Sequence, residues 1–162
     1  MAAARTEVAT RVTPYGSLLT TRPFTTTNGA VDYPIQNPLA MLCLALSESD
    51  RYSAYARDAL RVHGAPSPLA PWSILLYVDE VTCGNPLAVR ADARRKVQGV
   101  YRAVFQLGST AIADETCWFE LAAFRTSEAK YFVGSVSHLL DVCLPCLLTR
   151  LDTTFVCALN SI

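Results

Sequence analysis

The stretch Ile74-Leu75-Leu76-Tyr77-Val78-Asp79-Glu80-Val81-Thr82 decides the fold. Its first five residues are all apolar, with no polar residue alternating among them, and the run closes on two acids. A short apolar run of this kind, with β-branched and aromatic members, reads as a strand buried on both faces. Immediately upstream, Ala65 to Pro71 holds Pro66, Pro68 and Pro71, a stiff linker in which Pro71 turns Ala70 away from helical geometry. Downstream, Cys83-Gly84-Asn85-Pro86-Leu87 is turn chemistry and Arg90 to Lys96 a polar loop. Val97 to Leu107 alternates next, with Val97, Gly99, Tyr101, Ala103, Phe105 and Leu107 on the expected inner side and Gln98, Arg102 and Gln106 on the wetter one. A third, less regular strand is expected over 116–124. Ala129, Phe132, Val133, Val136, Leu139, Leu140 and Cys143 then follow helical spacing, with Ser127 as N-cap and Pro145 ending the helix.

Upstream of the linker the period is helical. Asn37-Pro38 supplies a cap and a first-turn proline for a buried helix through Leu46. Ser47 to Asp50 interrupts, and a second helix runs over about 50–63, with Tyr52, Tyr55, Ala56, Ala59 and Leu60 at helical spacing before Gly64. Residues 1–36 show no sustained period and read as a flexible tail. Arg5, Arg11 and Arg22 against Glu7 within its first 24 residues also have the composition of an organelle transit peptide, and the tail is the favoured reading. The expected organisation is therefore a tail over 1–36, a helical pair over 37–64, a linker over 65–71 and an α/β unit over 72–162.

Composition bounds the function. The chain has 162 residues, 51% of them hydrophobic and 17% charged, enough for one ordinary domain and too apolar for wholesale disorder. Fourteen basic residues balance fourteen acidic ones, which argues against a strongly basic nucleic-acid clamp. No apolar run reaches the roughly 18 residues of a membrane-spanning helix, so no membrane partner is expected, and the location reads as nucleus or cytoplasm. Of the six cysteines, Cys43, Cys143, Cys146 and Cys157 lie in apolar stretches, where a thiol acts as a small hydrophobe. Reduced thiols are expected.

Asp79 with Glu80 is the sharpest chemical feature, because a carboxylate at a strand end is a usual Mg²⁺ ligand in phosphoryl-transfer sites. The plainer reading is a solvated strand exit. Arg90, Arg94, Arg95, Lys96 and Arg102 form a basic cluster that could contact phosphates, or simply a solvated loop. Cys143 and Cys146 have C-x-x-C spacing, but a helix C-terminal end disfavours a thiolate. Ser127 and Lys130 match S-x-x-K without the companion motifs of serine-lysine hydrolases.

Several of these pieces occur in a recognisable order. Pro71-Trp72, Leu76-Tyr77-Val78-Asp79, Asn85-Pro86-Leu87, Arg95-Lys96-Val97-Gln98-Gly99-Val100-Tyr101, and further on Trp118-Phe119 and Arg125-Thr126-Ser127, together resemble a group of uncharacterised, transposon-like eukaryotic proteins. The likeness covers roughly residues 37–140, with Asn37-Pro38-Leu39-Ala40 at its start. Those proteins look like relatives of DDE-type transposases with a ribonuclease-H-like core. The resemblance implies an α+β fold in which the Asp79 strand comes first, two antiparallel strands follow, and then a helix. It gives Asp79 the first metal-ligand position, with Mg²⁺ as cofactor if the ancestral site survives, and makes nucleic acid the partner such a site would serve. A second acid would have to come from Glu128 or Asp141, neither of which sits in a matching motif. The expectation is a partial, about three-stranded sheet at the truncated front of a larger fold, catalytically inactive and without a cofactor. Its exposed apolar surface would favour self-association. A small Mg²⁺-dependent nuclease and a non-catalytic interaction module built on helices 38–63 are the alternatives.

Overall fold

The computed structural model describes residues 11–82, 96–134, 137, 138 and 140–142. The chain is mixed α+β, with antiparallel sheets. A two-residue pairing of β1 (Val12–Thr13) with β2 (Gly16–Ser17) leads into the hairpin of β3 (Leu19–Thr26) and β4 (Gly29–Gln36). Helices α1 (Pro38–Glu48) and α2 (Asp50–His63) follow, then strands β5 (Ile74–Thr82), β6 (Lys96–Val104) and β7 (Phe119–Arg125), and a single helical turn, α4 (Thr126–Ala129). A further helical turn, α3 (Ser109–Ile112), lies between β6 and β7.

The helical pair forms as its sequence dictates. Asn37 Oδ1 accepts from the Leu39 and Ala40 amides, and Pro38 takes the first helical position, where its missing N–H costs nothing. Ser49 ends α1 and caps α2 through the Tyr52 amide. Gly64, at φ +73°, closes α2 in a backbone conformation that side chains resist.

Within the tail expected over 1–36, Leu19 to Gln36 form an ordered hairpin instead, and 1–10 lie outside the described residues. The hairpin's eight pairs run without a slip from Leu19↔Gln36 to Thr26↔Gly29, around Thr27 and Asn28. These strands give a weak sequence signal because they bury few residues: Phe24 and Ile35 are sealed in the core while most of their neighbours face solvent. Pro23 and Pro34 also argued against strand, yet a two-stranded ribbon has outer edges on both sides, where a missing N–H does no harm.

Strands β5, β6 and β7 form one antiparallel sheet in that order. Val100 and Val104 lie on the same face of β6. Val100 joins Phe24, Ile35, Leu121, Ala122, Phe124, Ala129 and Phe132 in one apolar cluster. Val104 joins Leu39, Leu42, Tyr52, Ala56, Ala59 and Leu107 in another. The hairpin thus covers one end of this face and the helical pair the other. A bulge between Val100 and Tyr101 lets Leu121 and Ala122 both turn into the core, at 0% and 2% exposure.

Four further expectations change. β5 is an edge strand and not a doubly buried one: among the described residues β6 alone pairs with it, and Leu76, Tyr77, Val78 and Val81 are all exposed. An apolar run has the same sequence whether its neighbour is present or not. The side of β6 expected to be wetter is buried at Arg102, as Gly99 and Ala103 on the expected inner side are, while Phe105 lies past the strand in a 3-10 turn and is exposed. β7 begins at Phe119, later than the expected 116, because Asp114 caps a 3-10 turn over Glu115–Cys117. The helix expected over 129–143 is broken early. Phe132 bridges to Thr26, the Tyr131 carbonyl accepts from the Thr27 amide, the Val133 amide donates to Thr25 O, and Gly134 takes φ +86°. Hydrogen bonding to the hairpin wins over the helical period, and helical residues resume within 137–142.

Candidate functional site

The site indicated by the sequence is the C-terminal half of β5. Paired residues in an antiparallel ladder point to the same face. Leu76, Val78 and Glu80 therefore share a face with Arg102, Val100 and Gln98, and Tyr77 and Asp79 share the other with Tyr101 and Gly99. On β7, Glu120 pairs with Tyr101 and so joins the Asp79 face. The Tyr101 ring folds back across Gly99, so a Cβ there would stand 2.5 Å from the Tyr101 hydroxyl and the ring would have to move. Tyr77 lies between Tyr101 and Trp118, with ring centroids 6.4 and 6.1 Å away. Trp118 is fixed by its indole N–H, which donates to Ile112 O at 2.8 Å.

Three carboxylates near the site have a structural engagement. Asp79 Oδ1 accepts from the Glu80 amide at 2.8 Å. Glu80 accepts from Lys96 Nζ at 2.5 Å and from the Thr126 hydroxyl at 2.9 Å. Those two bonds, Lys96 first, hold the Glu80 carboxyl below its ordinary range. Glu128 accepts from the Arg125 amide and closes its own helical turn. It also lies beside Tyr33, whose hydroxyl is pushed up to about 12 by burial and then by the Glu128 charge. Burial raises the Glu120 carboxyl. Among the described residues, no three His, Cys, Asp or Glu side chains converge as metal ligands.

The other candidates separate. Lys96 is the Glu80 partner, while Arg90, Arg94 and Arg95 lie outside the described residues, as do Cys143 and Cys146. Asp141 is an exposed residue of the helical stretch within 137–142. Lys130 sits over the Tyr131 ring, 4.8 Å from its centroid. Cys43 and Cys117 are free thiols, and burial raises that of Cys117. Among the described residues, no helix is long and apolar enough to cross a membrane.

Arg102, expected in the solvated basic cluster, is buried instead. It is 4% exposed, lies between the two apolar clusters, donates to Pro38 O at 2.6 Å and stacks over Phe119 at 5.6 Å. Burial without a carboxylate lowers the guanidinium to about 10. Alternation placed it on the wetter side of β6. Its neighbours Val100 and Val104, spaced by two on either side, were the available signal for the opposite choice.

The chain matches no family model, no curated protein and no solved structure.

Proposed function

We propose that this chain is a non-catalytic, transposase-like protein of ribonuclease-H-like descent. The ordered motifs from Pro71 to Ser127 support the descent. So does the order of elements, in which the Asp79 strand is followed by β6 and β7, each antiparallel to the strand before it, and then by helical residues. The observation that carries the non-catalytic reading is the engagement of the carboxylates: Glu80 is neutralised by Lys96, and Glu128 is spent on its own turn. Asp79 faces solvent from an edge strand and holds the next amide of its own backbone.

Manganese titration of the isotopically labelled chain tests this. The expected result is weak, diffuse broadening over exposed acids, unchanged in Asp79→Ala, with no metal-dependent DNA cleavage. Saturable broadening centred on Asp79, abolished in that variant and accompanied by cleavage, would overturn the proposal.

The helical pair gives little support to an interaction module. Leu39, Leu42, Tyr52, Ala56 and Ala59 turn into the core, and the outer side of α2 carries Arg57, Asp58 and Arg61.

A further inference from the structure

Among the described residues no strand pairs with the outer edge of β5, and that edge is suited to receive one. The Phe105 amide donates to Ser73 O, which fixes the phase of the ladder: odd-numbered residues of β5 bond to β6, and Ile74, Leu76, Val78 and Glu80 turn their backbone groups outward. Nine consecutive pairs join β5 to β6 without a bulge, and the strand holds no proline or lysine of the kind that blunts an edge. Exposed apolar side chains stand on both faces, Leu76 and Val78 on one and Tyr77 and Val81 on the other. A strand apolar on both faces but placed at an edge lacks the neighbour its composition suits.

Charge selects the occupant. The outward amide of Glu80 is already taken by Asp79 Oδ1, so Asp79 closes the open edge at Val78 and leaves a carboxylate there. Among the described residues no cation pairs with Asp79, whereas Glu80 has Lys96. A second copy paired antiparallel about a two-fold axis at Leu76 would set Ser73 opposite Asp79 and so offer that carboxylate no cation. We infer that β5 binds an extended segment of another protein by strand addition along Ile74–Val78, with a lysine or arginine of that segment facing Asp79 and apolar residues beside Leu76 and Tyr77. This inference does not depend on the transposase-like descent.

The test uses the full chain, labelled with ¹⁵N, and two acetylated, amidated repeat peptides, Lys-Val and Glu-Val. The Lys-Val peptide should shift and protect the outward amides of Leu76 and Val78, and the Glu-Val peptide should bind more weakly. Asp79→Asn should weaken Lys-Val binding about two- to five-fold, the range of an exposed ion pair, and erase the discrimination between the peptides. Equal binding of both peptides to the unaltered chain, or binding of neither, would overturn the inference. So would β5 amides already protected in the free protein, either at every concentration, meaning that the chain covers its own edge, or increasingly with concentration, meaning that a second copy does.

Discussion

β7 and β5 are the two outer strands of one sheet, both rich in apolar residues, and they meet opposite fates. On β7, Leu121, Ala122 and Phe124 are at most 2% exposed, because the hairpin and Phe132 pack against them and Tyr33 donates to Ala123 O at 2.9 Å. On β5, Leu76, Tyr77 and Val78 are 38–51% exposed. The difference lies in what the rest of the chain lays over each strand. Leu19–Gln36 supplies a cover for β7, and nothing among the described residues does the same for the outer edge of β5. Apolar composition shows that a strand suits an interior, and the neighbours decide whether it has one.

The sharpest way to break this contrast is truncation on the two sides. Phe124→Ala should cost about 3–5 kcal/mol, because it opens a cavity among Phe24, Phe132 and Leu121. Leu76→Ser should stay within about 0.5 kcal/mol, as surface changes do. Urea unfolding of both variants measures the gap, and similar losses would mean that β5 is covered in solution. Arg102→Ala comes next, at about 2–3 kcal/mol, since the Pro38 carbonyl loses a charged donor and Phe119 loses its stacked partner. Arg102→Met should recover part of that loss, because it restores packing and removes the cost of a buried charge. Asn37→Ala should cost about 1 kcal/mol through the cap on α1.

The smallest effect is electrostatic. The Glu80 carboxyl is lowered in the folded chain, so its contribution is present above the unfolded carboxyl value of about 4.3 and is lost as pH falls through the lowered folded value. The urea midpoint should therefore fall slightly less between pH 5 and 3, as an approximate window, in Glu80→Gln than in the unaltered chain.

Much of the fold was legible where local chemistry decides it. Asn37-Pro38, Ser49 and Gly64 bracket the two helices through caps that need no tertiary partner. β5 and β6 were legible as strands from their apolar content, but their faces and neighbours were not. Arg102 looks like a solvent residue until Pro38 O and the Phe119 ring are brought to it from 64 and 17 residues away. The hairpin was hidden because a ribbon that buries Phe24 and Ile35 on one side needs little else that is apolar. At the site, the Asp79-Glu80 pair was visible as chemistry, but the partners that define it, Lys96 and Thr126, lie 16 and 46 residues away from Glu80.

Amide hydrogen exchange along β5 tests the central claim most directly. The odd-numbered amides of Leu75 and Tyr77, bonded to β6, should be protected, while the outward amides of Leu76 and Val78 should exchange nearly as fast as in an open chain. On β7, the Ala122 and Phe124 amides should be retained far longer than those of Leu76 and Val78. Strong protection of Leu76 and Val78 in the dilute, peptide-free protein would contradict the account, because it would show that the edge is already paired.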